Sequence, residues 1–315
     1  MKDRELKIFS GNANLELAEK ISEYIGIPLG KVQISRFPDN EVLIKIREDV
    51  RGRDVFVIQS TVREPNERLM ELLIMIDALK RASADRITAV IPSYGYARQD
   101  RKDQPRVPIT AKLVANLITA SGANRVLTID LHADQIQGFF DIPVDNLYAF
   151  PVFVDYLRKI QLENGTVVVS PDVGGLKLAT LYSSKMHTTF ATVDKRRLSD
   201  SDVEATSVIG DVKNKNVILV DDICSTASSI VEACRVLKLN GVKDIYCCVT
   251  HGILVGPAVE RIEKAPIKKF LITDTVPGVK EFAKSSSIEV LSVASLLGKA
   301  IMRIHRNESV SSLFY

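Results

Sequence analysis

Two adjacent carboxylates, Asp221 and Asp222, follow the apolar run Val217-Ile218-Leu219-Val220, and behind them come Ser225, Thr226, Ala227, Ser228 and Ser229. A carboxylate accepts hydrogen bonds from sugar hydroxyls and holds a hard cation directly or through water. A turn of small and hydroxyl residues opening a helix offers backbone N–H groups to a phosphate, and the helix dipole helps. This spacing therefore permits capture of a sugar phosphate at the carboxyl edge of a buried strand, where α/β sheets bind ligands. The same pattern equally fits a helix N-cap of Ser and Thr behind two solvated acids. The four cysteines, Cys224, Cys234, Cys247 and Cys248, include no Cys-x-x-Cys pair, and no histidine stands at zinc-finger spacing. They read as reduced thiols.

Such residues need strands to present them. Val55-Phe56-Val57-Ile58, Ile87 to Ile91 and Val126 to Ile129 are short, β-branched and nearly continuous in apolar character. Val167-Val168-Val169, Val217 to Val220 and Ile245 to Val249 repeat the pattern in the second half. Runs of this kind suit parallel strands buried on both faces. Helical stretches lie between them, among them Asn66 to Arg81 and Ser229 to Leu239, so the class is α/β. Each half contains a strand, a hydroxyl-bearing turn, a helix and a second strand, as a duplicated unit would. A boundary near Phe150-Pro151 is expected, giving units 1–150 and 151–315, with the C-terminal tail packing on the first.

The chain has 315 residues, 46% of them hydrophobic and 26% charged, and a net charge of +3. This length suggests two domains, and the near-neutral balance gives no electrostatic case for nucleic acid or a basic membrane patch. No apolar run reaches the roughly 18 residues of a membrane span, and no apolar signal core follows the polar N-terminus. Cytoplasmic residence is the expectation.

Longer motifs carry a more specific reading. They are Phe37-Pro38-Asp39-Asn40-Glu41, Tyr94 to Asp103, Asp130-Leu131-His132 through Asp145, Val169 to Gly175, Asp194-Lys195-Arg196-Arg197, Thr250 to Ala258 and Glu308 to Phe314. In this order they resemble the ribose-phosphate pyrophosphokinase family across nearly the whole chain. The Asp221 loop is similar to the phosphate loop of type I phosphoribosyltransferases. The resemblance implies two tandem type I phosphoribosyltransferase-like domains, each a mostly parallel sheet flanked by helices. It also implies transfer of the β,γ-pyrophosphate of ATP to the anomeric hydroxyl of ribose 5-phosphate, with Mg²⁺, giving AMP and phosphoribosyl pyrophosphate. No Gly-x-x-x-x-Gly-Lys-Ser/Thr run is present, so the nucleotide must be held another way.

By the same resemblance, Phe37, Asp39, Asn40 and Glu41 contact adenine, and Arg98, Gln99 and Asp103 serve ATP from an exposed β-excursion. His132 and Asp172 belong to the metal–ATP unit, and Gly174 and Gly175 let backbone approach phosphate. Lys195 and Arg197 lie in a catalytic loop. Arg197, Asp221, Asp222, Ser225, Thr226, Ala227, Ser228 and Ser229 bind ribose 5-phosphate. Arg51, Ser83, Ser309 and Ser311 fall in a region regulated by ADP and phosphate, in a hexamer built from dimers.

The chain departs from the family pattern in that loop, which usually reads Asp-Asp-x-x-Asp-Thr-x-Gly-Thr. Ser225 replaces the third acid, Ser228 the glycine and Ser229 the last threonine. Ser228 is expected to be strained if its site needs a positive φ. Lys177 stands where arginines are usual, and Asp49 replaces a hydroxyl in the regulatory segment. These changes admit an alternative, a weakly active or non-catalytic paralogue assembling with an active synthetase. A phosphoribosyltransferase consuming a base is disfavoured by the adenine-loop motif.

Overall fold

A computed structural model describes residues 5–162, 165–196 and 205–313. The chain forms two compact units, Met1–Tyr148 with Thr275–Pro277 and Ser292–Tyr315, and Ala149–Asp274 with Gly278–Leu291.

The first unit runs β1 (Leu6–Ser10), α1 (Leu15–Ile25), β2 (Val32–Arg36), β3 (Val42–Ile46), β4 (Asp54–Ile58), α2 (Pro65–Arg81), β5 (Arg86–Ile91), α3 (Thr110–Ser121), β6 (Arg125–Ile129) and β7 (Val144–Leu147). Its sheet has the order β1-β4-β5-β6-β7, and every neighbouring pair is parallel. All five residues of β4 are buried, as the apolar run requires of a strand covered on both faces. Leu72, Met75, Ile76 and Leu79 of α2 and Val114 and Ile118 of α3 close one face. Strands β2 and β3 form a separate antiparallel hairpin. The Asn14 side chain caps α1 by accepting from Leu17 N, and Gly26 ends it in the left-handed region with φ 77°.

The second unit runs α4 (Phe150–Lys159), β8 (Thr166–Ser170), α5 (Leu176–Met186), β9 (Thr189–Arg196), β10 (Ala205–Ile209), β11 (Asn216–Cys224), α6 (Ser228–Leu239), β12 (Ile245–Gly252), α7 (Ala258–Lys264), β13 (Lys269–Thr273) and β14 (Ile288–Leu291). The sheet order is β10-β9-β8-β11-β12-β13-β14, parallel throughout except for the β9–β10 pair. All four cysteines are free and buried.

Helix α8 (Ala294–His305) belongs to the first unit and packs on α1. Gly298 permits the close approach, because a Cβ there would lie 2.4 Å from the Tyr24 ring. The end of α8 is held by an ionic cluster at the amino edge of the sheet. Arg86 donates to the fully buried Asp54 from Nε at 2.8 Å and from Nη2 at 2.5 Å, and its Nη2 also reaches Ile304 O at 2.9 Å. His305 Nδ1 lies 2.8 Å from the same carboxylate.

The strand ends differ from the sequence expectation in two places. β11 does not stop at Val220 but continues through both acids to Cys224, because β12 extends beside it as far as the Cys224–Gly252 pairing. Residues 98–109 contain no strand; they form turns and bends with no partner strand to pair with, so the expected β-excursion is corrected to an exposed loop.

Removing one partner of a buried ion pair strands the other charge. Asp54→Ala should lower unfolding free energy by about 3–5 kcal/mol in urea titration followed by circular dichroism.

Candidate functional site

In the first unit, the loops carrying Arg98, Gln99, Asp103 and His132 leave the carboxyl ends of β5 and β6. Gly95 N donates to Thr61 Oγ1 at 2.8 Å, and a Cβ on Gly95 would fall 2.0 Å from Thr61 O. Arg98 and Gln99 follow on the exposed loop, as does Asp103. Gln99 N bonds Tyr96 O at 3.0 Å, and its carbonyl accepts from Ala111 N at 3.1 Å, tying the loop to the start of α3. His132 is exposed beyond β6. Its loop is shaped by Asn146, whose Oδ1 accepts from Leu131 N at 3.1 Å and whose Nδ2 donates to Asp134 at 3.3 Å. Tyr148 donates to the same Asp134 oxygen at 3.2 Å. Burial first, then the Asp134 charge, pushes the Tyr148 phenol up to about 12, so it remains a donor. Gln135 Nε2 donates to Asp100 Oδ2 at 3.2 Å and so joins the two loops.

Phe37, Asp39, Asn40 and Glu41 occupy the turn of the β2–β3 hairpin. Phe37 N bonds Glu41 O at 2.9 Å, and Asn40 sits at φ 72°. Phe37 is 46% exposed, so its ring face is open to a stacking partner. Among the described residues, the turn makes no hydrogen bond outside its hairpin. It therefore stands apart from the Arg98 and His132 loops in its bonding. Beneath the hairpin, the buried Glu71 accepts from Asn12 N at 2.5 Å and Gln59 Nε2 at 2.8 Å, and Gln59 Oε1 accepts from Ala13 N at 3.0 Å. Sequence reading missed this network and Asn146. The one available signal was an acid set beside Leu72 on the apolar face of α2.

At the far edge of this unit, Arg51 Nη1 donates to Ser83 Oγ at 3.2 Å, and Ser309 Oγ donates to Ser311 Oγ at 2.8 Å. Among the described residues, no hydrogen bond joins the two pairs. Asp49 Oδ1 accepts from Arg51 N at 3.0 Å and so orders that turn.

In the second unit, β9, β8 and β11 are neighbours, and their carboxyl ends bring Lys195, Asp172 and the Asp221–Asp222 pair to one edge. Asp172 Oδ1 accepts from Gly175 N at 3.1 Å, capping the turn that leads into α5. Lys195 stands on β9, opposite Thr206 of β10, rather than in a loop, because β10 supplies an antiparallel partner. Arg197 lies outside the described residues.

Asp221 and Asp222 are successive residues on β11, and Asp222 N donates to Asp221 Oδ1 at 3.0 Å. Burial, then the charges of Asp222 and Asp172, hold the Asp221 carboxyl well above the usual carboxylate range. Carboxylates gathered at one sheet edge fit an oxygen-bound divalent ion. Among the described residues, however, no group of three or more His, Cys, Asp or Glu is placed to hold a metal by itself. The remaining ligands would therefore be phosphate and water. Cys224 is buried, and burial with the Asp221 charge pushes its thiol up to about 12, so it is an inert filler.

Ser225, Thr226 and Ala227 make the turn, and Ser228 and Ser229 begin α6. The positive φ falls on Ala227, at 61°, and not on Ser228, which is already helical. The expected strain at Ser228 is thus corrected. Val231 N returns to Ala227 O at 3.0 Å, while the amides of Ser228, Ser229 and Ile230 have no acceptor among the described residues. No acid occupies the first turn of α6. Three free amides and an unopposed dipole make an anion cradle.

A raised folded-state carboxylate favours the native state at acid pH and loses that advantage as pH climbs past the unfolded value towards the folded one. Asp221 therefore costs the native state stability at neutral pH. Without divalent cation, Asp221→Asn should melt higher than the parent at neutral pH. The difference should vanish below the ordinary carboxylate range in paired thermal scans.

Comparison with known proteins places this geometry. A family model described as the N-terminal domain of ribose phosphate pyrophosphokinase matches residues 6–122. A second, the phosphoribosyl synthetase-associated domain, matches residues 197–315. The ribose-phosphate pyrophosphokinase of Thermotoga maritima is 54% identical over 312 residues, 98% of each chain. That of Campylobacter jejuni is 52% identical over 311 residues, 99% of each chain. The crystal structure of phosphoribosylpyrophosphate synthetase from Mycobacterium smegmatis matches with a TM-score of 0.91 at 39% identity, covering 96% of this chain and 100% of that one. With its doubled parallel sheets and full-length relatives, the chain belongs to the ribose-phosphate pyrophosphokinase family.

Proposed function

We propose that the Asp221–Ser229 segment binds ribose 5-phosphate, and that Lys195 and Arg197 assist attack of its anomeric hydroxyl on the β-phosphorus of ATP. The chain is a diphosphate-transferring enzyme. The bond from the anomeric oxygen to the β-phosphorus forms as the bond from that phosphorus to the α,β-bridging oxygen breaks; the hydroxyl gives up its proton to solvent and the electron pair leaves on the bridging oxygen, giving AMP and phosphoribosyl pyrophosphate. Such a transfer depends mainly on positioning and charge stabilisation. The observation that supports the sugar site best is the set of unsatisfied amides on Ser228, Ser229 and Ile230 behind two carboxylates. Those amides would take the 5-phosphate, and Asp221 and Asp222 would accept from the ribose hydroxyls.

In this reading Phe37 stacks on adenine, Asp39, Asn40 and Glu41 read its edge, and Arg98, Gln99 and Asp103 meet the phosphates or nucleotide. Mg²⁺ would be the metal and, when bound, would neutralise phosphate charge. In the second unit Asp172 would offer it oxygen, and in the first unit His132 would serve metal-bound ATP partly through water or phosphate. The family's regulation extends to this chain through Arg51, Ser83, Ser309 and Ser311, with ADP and phosphate as effectors, in a cytoplasmic homohexamer. No helix among the described residues is long and apolar enough to cross a membrane.

Purified protein with ATP, Mg²⁺ and ribose 5-phosphate should release AMP only when the sugar is present. Lys195→Ala should lower that rate on the order of 10²-fold or more, as loss of a charge-stabilising donor does. AMP release unchanged by the substitution, or independent of sugar, would reject the assignment. Chelation of the divalent ion should stop the reaction, and Mg²⁺ should restore it.

A further inference from the structure

We propose that Arg261, on α7, is a positioning residue for the sugar-phosphate turn and acts through Ser228; the proposal rests on the assignment of that turn to ribose 5-phosphate. Arg261 Nη1 donates to Thr226 O at 2.9 Å and to Ser228 Oγ at 2.7 Å. Thr226 Oγ1 lies 3.1 Å from the same serine oxygen, so both hydroxyls and one cation share a single bonded corner. Both acceptors of Arg261 are neutral. Among the described residues no carboxylate lies within ion-pair distance of it, and the adjacent Glu260 is engaged by Lys264 at 2.5 Å. A guanidinium has five N–H donors, and Nη1 alone supplies these two bonds.

The turn needs such a hold. Ala227 occupies the left-handed region at φ 61°, which a side chain with a Cβ disfavours. The connection from β12 to α7 grips the turn from one side. Ile253 N and Leu254 N reach Cys224 O at 2.9 and 3.2 Å, and Val255 N reaches Ser225 O at 2.9 Å. Arg261 extends this grip to the first residue of α6, the residue whose amide begins the anion cradle. Its charge also adds positive potential where a phosphate would sit. Ser228, which stands where the family pattern has glycine, supplies the hydroxyl that makes the contact possible.

The test is steady-state kinetics of Arg261→Ala, Arg261→Lys, Ser228→Ala and the Arg261→Ala/Ser228→Ala double variant, with thermal melting alongside. Loss of a charge-assisted bond should raise KM for ribose 5-phosphate about ten-fold in Arg261→Ala. KM for ATP, kcat and the melting temperature should stay near parental values. Arg261→Lys should fall between, and the double variant should be no worse than Arg261→Ala, because both act through one contact. An unchanged sugar KM in Arg261→Ala, equal loss for both substrates, or additive effects in the double variant would overturn the proposal. Asp222→Asn separates the two levels. If it leaves the sugar KM unchanged, the site assignment itself fails; if it raises that KM while Arg261→Ala does not, only the role of Arg261 fails.

Discussion

Strands β8 and β11 are buried along their apolar runs, and this confines their polar chemistry to their ends. Val167, Val168 and Val169 pair in register with Val217, Ile218 and Leu219, and none of the six exposes more than 1% of its surface. A charged group within that block would cost several kcal/mol of desolvation. Asp172, Asp221 and Asp222 stand past it, at the edge where helix amides are also unsatisfied. The core thus decides where the acids collect, and burial together with the charges of Asp222 and Asp172 raises the proton affinity of Asp221. That crowding is unfavourable for the protein by itself, and under the proposed function cations and sugar hydroxyls would offset it, the usual relation between stability and a binding site.

The first unit applies the same rule with different loops. Gly95 beyond β5, Asp130 just past β6 and Asn146 within β7 each make a backbone or side-chain bond that fixes the neighbouring loop. Asp130 sits at φ 41°, and its amide bonds Leu147 O at 2.8 Å. The hairpin bearing Phe37 is separate from that sheet. The ring is therefore presented by a hairpin whose Val32, Ile34, Ile44 and Ile46 pack on the core, while the ring itself stays 46% exposed.

Strand positions were legible because near-continuous apolar runs have few other uses in a charged, soluble-type composition. Their ends were less so. Asp221 and Asp222 carry no strand signal of their own, and β11 continues through them only because β12 supplies ladder partners. Conversely, residues 98–109 lacked any partner strand, and propensity could not reveal that. The Asp221–Ser229 loop stood out by its acids and hydroxyls, a pattern that fits a helix N-cap equally, and the resemblance alone favoured a sugar phosphate; the positive φ, tied conditionally to Ser228, falls one position earlier. The backbone turns at Ala227, before the helix begins at Ser228. Arg261 was invisible in one dimension, since it lies 33 residues beyond Ser228 and reaches it only through the fold.

Everything proposed for the second unit rests on the free amides at the start of α6 receiving the sugar's phosphate. Amide chemical shifts of Ser228, Ser229 and Ile230, followed by nuclear magnetic resonance while ribose 5-phosphate is added, address this directly. The account predicts large, saturating shifts at these three amides, and much smaller ones with ribose. Shifts confined to other residues, with these amides unmoved at saturating sugar phosphate, would contradict it.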